Sequence, residues 1–261
     1  MIMANGMFFQ GGDGMMAETT VLRRKEIEQL NEGLIKCFLK KMNYKNVLCV
    51  DIERFVTEFL GLDVIYETFA EDDPDRVGFF SDGVRQLMVI RDGIRQGITF
   101  PKNTVVIEKG LTLPQQKAEL RFSLAHEGSH MINEKHFPIR VQAAFHSTFD
   151  SSISYTEEML GELLNINERY TDWGAESLLM PEFLLKKAFK KYNDGKMIIR
   201  YGDKVISKED RITMRKIADA MGVSYENLYN RLLTLRWFQY RPLEEYIEEC
   251  YLSGDEEVPF Q

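Results

Sequence analysis

The 261-residue sequence is poor in cysteine. Cys37, Cys49 and Cys250 lie far apart with no CxxC among them, which excludes a disulfide framework and fits free thiols in a reducing compartment. No apolar run approaches the 18 residues of a membrane span. The first 20 residues contain no Lys or Arg and no sustained apolar stretch, so they do not read as a signal peptide. A cytoplasmic protein with no membrane partner is expected. Residues 1–20 are rich in Met and Gly and are expected to form a disordered tail. Positive charge is in deficit, with 33 Lys plus Arg against 41 Asp plus Glu and a net charge of −8, which argues against a bulk nucleic-acid coat protein while still allowing a local basic patch. Histidine is scarce as well, at four residues.

What is present is an ordinary globular balance of 44% hydrophobic and 28% charged residues, enough to bury a core without staples. Leu22, Ile27, Leu30, Leu34, Ile35 and Leu39 recur at helical spacing over 21–41. A second helix is expected after Asp51 as N-cap, stopping at Gly61. LDVIYETF, RVGFFSDG, RQLMVIRD and NTVVIEKG read as strands, and their short connections predict antiparallel pairing. Helices are then expected over about 114–133, from a Ser154/Glu157 capping box to Met180 with a break near Asn165, and over EFLLKKAFKKY. KMIIRYGDKVIS reads as a hairpin turning at Gly202-Asp203. The expected fold is α+β, a small antiparallel sheet packed on helices. Residues 21–195 are expected to form the main domain, and 196–261 the hairpin, a helical element and an acidic tail.

The chemistry-bearing segment is RFSLAHEGSHMI, which places His126, Glu127 and His130 in an HExxH pattern. Spacing i, i+4 stacks both imidazoles on one helical face, where they reach a single zinc. Glu127, rotated about 100° from His126, flanks the metal and is placed to take a proton from water that the metal activates. Two stacked core histidines are the plainer reading, and the motif makes it the minor one. A hydrolytic site takes three protein ligands and keeps a position open. Downstream, Glu168 and Asp172 stand one turn apart: Glu168 can ligate, and Asp172 can accept the second ring N–H of a histidine and fix its tautomer. On their own they would read as a solvated charged pair.

HExxH followed by NExxxD resembles the thermolysin-like gluzincins. More closely, RFSLAHEGSHMI followed by ERYTDWGAESLLMP resembles the ImmA/IrrE family of metallopeptidases, with soft cover over residues 45–240. By position, His126 and His130 match that family's metal-binding histidines and Glu127 its catalytic glutamate, while Glu168 matches the third ligand and Asp172 the residue behind the ligands. The sequence departs from the pattern at Thr171, where the family prefers Ala, and at Gly174, where it prefers Phe with Trp173 one position away. Gly128 replaces a larger apolar residue, costs about 1 kcal/mol of helix propensity and reads as allowing close packing against a strand.

The resemblance implies zinc, one per chain with manganese as the alternative, and limited proteolysis of a protein substrate such as a DNA-binding repressor. His146 and Tyr155 are candidate oxyanion donors, though a lone His or Tyr in a loop is more often simply exposed. The strand holding Val105, Val106 and Ile107 is either an edge that aligns a peptide or an ordinary interior strand.

Near the C-terminus, ITMRKIADAMGVSYENLYNRLLTL looks like a helix-turn-helix, with Gly222 at the turn and Ser224 as N-cap. Arg211, Arg215, Lys216, Arg231, Arg236 and Arg241 give it a basic excess over Asp219 and Glu226 that the following acidic tail can cancel. Structural packing is therefore expected over direct nucleic-acid contact. Lys186, Lys187, Lys190 and Lys191 read as a solvated face. The alternative to a peptidase is a DNA-binding or metal-sensing regulator with a non-hydrolytic peptidase fold. The sequence leaves the oligomeric state open.

Overall fold

The computed structural model describes residues 7–10, 16–19, 23–71, 76–136 and 157–253. The chain divides into two compact units, Met1–Pro181 and Glu182–Gln261. The division falls after Pro181 rather than at 195, because the helix that follows packs with the C-terminal elements. Mixed helix and sheet is as expected for α+β.

In the first unit, β1 (Met7–Gln10) and β2 (Met16–Thr19) pair antiparallel within the stretch expected to lack structure. Helix α1 (Arg24–Lys41) buries Ile27 and Ile35 of the predicted stripe together with Asn31 and Phe38, while Leu30, Leu34 and Leu39 stay half-buried. Asp51 caps α2 (Ile52–Arg54) by accepting from the Arg54 amide. The helix runs on as a π-turn over Phe55–Phe59 and ends before Gly61 at φ 76°. Phe38 packs edge-on against both Phe55 and Phe59, at 5.4 and 5.8 Å between ring centres.

The strands are β3 (Asp63–Phe69), β4 (Gly78–Phe80), β5 (Gln86–Arg91), β6 (Ile94–Thr99) and β7 (Thr104–Glu108). They form one five-stranded sheet in the order β4-β7-β3-β5-β6. The sheet is mixed, not wholly antiparallel: β3 and β7 pair parallel, with Asp63 opposite Thr104 and Glu67 opposite Glu108. Short links between sequence neighbours suggested antiparallel pairing throughout. But β3 and β7 are separated by three other strands, which is chain enough to return β7 in the same direction. Positive φ at Asp92 and Gly93 closes the tight β5–β6 hairpin. Phe79, Leu87, Val89, Phe100 and Val106 make a buried cluster on the sheet.

After short 3-10 turns at Lys109–Thr112 and Pro114–Gln116 comes α3 (Lys117–His136), then α4 (Glu157–Leu179). Helix α4 is continuous through Asn165, where a break was expected. The proposed Ser154 cap lies outside the described residues. Two helices, α3 and α4, pack on each other, and α1 packs on α4. There Asn31 donates to Ser177 Oγ at 2.9 Å, and Arg24 pairs with Glu176 and lies over the Trp173 ring. Trp173 is therefore turned to α1 rather than to the ligand positions.

In the second unit, α5 (Glu182–Asn193) packs against α6 (Lys208–Met221). Gly222, left-handed at φ 67°, ends α6, and Ser224 caps α7 (Tyr225–Leu235) by accepting from the Asn227 amide at 3.0 Å. The expected hairpin at Gly202 is replaced by a parallel pair, β8 (Ile198–Tyr201) with β9 (Phe238–Arg241), and only a bridge between Tyr201 and Val205 remains of it. Ser207 already caps α6, which leaves no length for a return strand. Arg231 is 1% exposed, so it adds nothing to a basic surface. Arg241 pairs with Glu249 of α8 (Leu243–Ser253) at 3.4 Å, as the charge balance anticipated. Among the described residues, no helix is long and apolar enough to cross a membrane.

Candidate metal centre

Helix α3 has no clean apolar stripe because it is enclosed on several sides, and the residues that bury it are small: Ser123, Ala125, Gly128 and Ser129 alongside Leu124 and Ile132. A Cβ at Gly128 would stand 3.2 Å from Val56 Cγ2 and 3.5 Å from Leu60 Cδ1. The glycine thus admits the π-turned helix, not a strand. On the α4 side, a Cβ at Gly174 would fall 2.6 Å from Ser129 Oγ. A phenylalanine at 174 has no room here, so the packing of the two helices requires a residue without a side chain.

This close approach of α3 and α4 brings together His126, His130 and Glu168, whose ligand-capable atoms all lie within 4.8 Å of one another. His126 Nε2 is 3.2 Å from Glu168 Oε2, and His130 Nε2 is 4.0 Å from Glu168 Oε1. A tetrahedral ion with bonds of about 2.0–2.1 Å separates its ligand atoms by roughly 3.3 Å, so the spacing suits a small divalent metal. The donor set also fits, with two imidazole nitrogens and one carboxylate oxygen from two helices. Behind these atoms, His126 Nδ1 donates to Asp172 Oδ1 at 3.1 Å, and His130 Nδ1 lies 3.4 Å from Thr171 Oγ1. Glu168, Thr171 and Asp172 face α3 together because they stand at i, i+3 and i+4 on α4.

Burial works to lower the His126 pKa, but the hydrogen bonds to Asp172 and Glu168 outweigh it and raise it to about 10. Glu168 is held below the usual carboxylate range, chiefly by its hydrogen bond to His126. Glu127 is 5% exposed. Burial pushes its carboxyl up to about 7, with the His126 charge opposing and Glu168 assisting. A carboxyl titrating near neutrality suits proton transfer at working pH.

Two contacts at Glu127 and His130 were not foreseen. Gly78, at the start of β4, lies so close to Glu127 that a Cβ there would be 3.0 Å from Cδ and would overlap Oε1 outright. The signal was present as a glycine within RVGFF, since glycine in a strand marks close approach. Phe80, two residues on and on the same face, lies nearly parallel to the His130 ring at 6.5 Å. The strand of Val105, Val106 and Ile107 is β7, interior and fully buried, so the edge nearest the centre is β4. His146 and Tyr155 lie outside the described residues. No protein-family model matches the chain, and no curated protein matches its sequence.

Proposed function

We propose that the chain is a zinc-dependent peptidase of the ImmA/IrrE type, a cytoplasmic enzyme that makes a limited cut in a regulatory protein such as a DNA-binding repressor. The observation that carries the reading is the convergence of His126, His130 and Glu168 beside the buried carboxylate of Glu127. Among the described residues the cluster offers three ligands, which leaves a coordination position for reaction, the pattern of hydrolytic rather than structural sites. When bound, zinc supplies Lewis acidity that polarises the scissile carbonyl and makes water more acidic.

The chain's own residues do the rest. Asp172 holds the His126 ring with its Nδ1 proton turned away from the ligand side. Glu127, seated against the Gly78 backbone, accepts the proton of the attacking water and returns it to the leaving amine. Burial keeps that carboxyl basic enough to receive the proton and acidic enough to release it. Arg231 is buried and Arg241 is paired with Glu249, which takes two of the six cations of this element away from electrostatic contact with DNA.

Elemental analysis of wild type and Glu168→Ala tests the centre, with one zinc per chain expected in the first and a sharp loss in the second. Glu127→Gln should keep its metal and lose about 10²–10⁴ in cleavage of a peptide library followed by mass spectrometry. A wild type that takes up no zinc sinks the reading.

A further inference from the structure

We propose that Thr171 is a positioning residue whose hydroxyl fixes the His130 ring in the Nδ1–H form, leaving Nε2 free for a metal. The inference rests on reading His126, His130 and Glu168 as ligands, and goes beyond it to this chain's own departure from the family's alanine.

Thr171 is fully buried on α4. Its hydroxyl donates to the Asn167 carbonyl one turn back, at 3.0 Å. A hydroxyl has one proton to give and two lone pairs to offer. With the proton committed to Asn167, Oγ1 can only accept. Two groups stand where they can donate to it: Asn133 Nδ2 at 3.4 Å and His130 Nδ1 at 3.4 Å. Both distances exceed the usual 2.7–3.2 Å, as suits one oxygen shared between two donors.

The imidazole nitrogen facing Oγ1 must therefore carry the hydrogen. The lone pair is left on Nε2, the atom that faces Glu168. The bond to the residue four back fixes the threonine rotamer, and Asn133, one turn beyond His130 on α3, fills the other lone pair. The two histidines are thus oriented by different chemistry, His126 by the carboxylate of Asp172 and His130 by a neutral hydroxyl. Alanine at 171 would leave both Asn133 Nδ2 and His130 Nδ1 without this acceptor.

Zinc affinity of the full chain, read by competition with a chromophoric chelator, separates the roles of hydroxyl and volume. Thr171→Val keeps the branching and loses the acceptor, whereas Thr171→Ser keeps the acceptor. Valine is expected to weaken zinc binding by about 10–100-fold, the usual cost of losing a group that orients a ligand, with serine close to wild type. Wild-type affinity in the valine variant overturns the proposal, as does an equal loss in both variants, which would mean packing alone. If Thr171→Val gives no cooperative melt, imidazole nitrogen-15 spectra of the zinc-loaded wild type decide. Hydrogen on His130 Nδ1 is expected, and hydrogen on Nε2 overturns the assignment. Absence of zinc binding by the wild type would overturn the metal reading itself, and this inference with it.

Discussion

His126 bridges two carboxylates: its Nδ1 lies 3.1 Å from Asp172 Oδ1 and its Nε2 lies 3.2 Å from Glu168 Oε2. Carboxylates only accept, so the ring carries both protons in the metal-free protein. Asp172 orients the ring, and Glu168 occupies the side that a metal would share. Asp172→Ala is expected to weaken zinc binding by about 10–100-fold while the metal-free chain keeps its fold. Chelator competition together with circular dichroism measures both; unchanged affinity would show that packing alone holds the ring.

The same bridge sets a pH dependence. The folded pKa of His126 is raised to about 10 against an ordinary 6.5. Zinc must displace the Nε2 proton, so each ion bound near neutral pH should release about one proton from this ring, and affinity should fall as pH falls. In the metal-free protein the stabilising charge is fully present below about 6.5 and lost as pH rises through about 10. Calorimetric titration in two buffers of different ionisation enthalpy counts the released protons, and identical heats in both would contradict the bridge.

Gly78→Ala isolates the seat of Glu127, the proposed general base. The new methyl group overlaps Glu127 Oε1, so the buried carboxylate must swing away from its seat against β4. Misplacing a reacting group by about 1 Å costs on the order of 10²-fold in rate. Zinc affinity should stay near wild type, because neither histidine nor Glu168 is touched. Full cleavage activity in this variant would detach the Glu127 position from catalysis.

Two glycines on packed helices should respond to the same substitution with opposite sign. Gly174→Ala drives a methyl group to 2.8 Å from Ser129 Cβ, and is expected to cost about 1–3 kcal/mol. Gly33, exposed on α1, has nothing within 4 Å of a new Cβ, so Gly33→Ala should stabilise by about 0.5–1 kcal/mol through helix propensity. Urea unfolding of both variants checks the contrast. Two changes of one sign would place the limit on α3–α4 approach elsewhere.

The sequence by itself determined the helices and the Asp51 and Ser224 caps, because these depend on residues within a few positions of one another. It also determined which side chains could share a metal, since i, i+4 spacing on a helix is a local matter. Tertiary structure decided what depends on chain returning from a distance. Parallel pairing put β7 inside the sheet and left β4 at the edge beside Glu127. β9 took the partnership with β8 that a local hairpin would have had. Thr171 and Gly174, read in sequence as departures from a pattern, gained their meaning only when α4 met α3, one as an acceptor for His130 and one as room for Ser129. Short-range geometry is written in spacing, whereas the neighbours of a buried side chain are set by how the whole core closes.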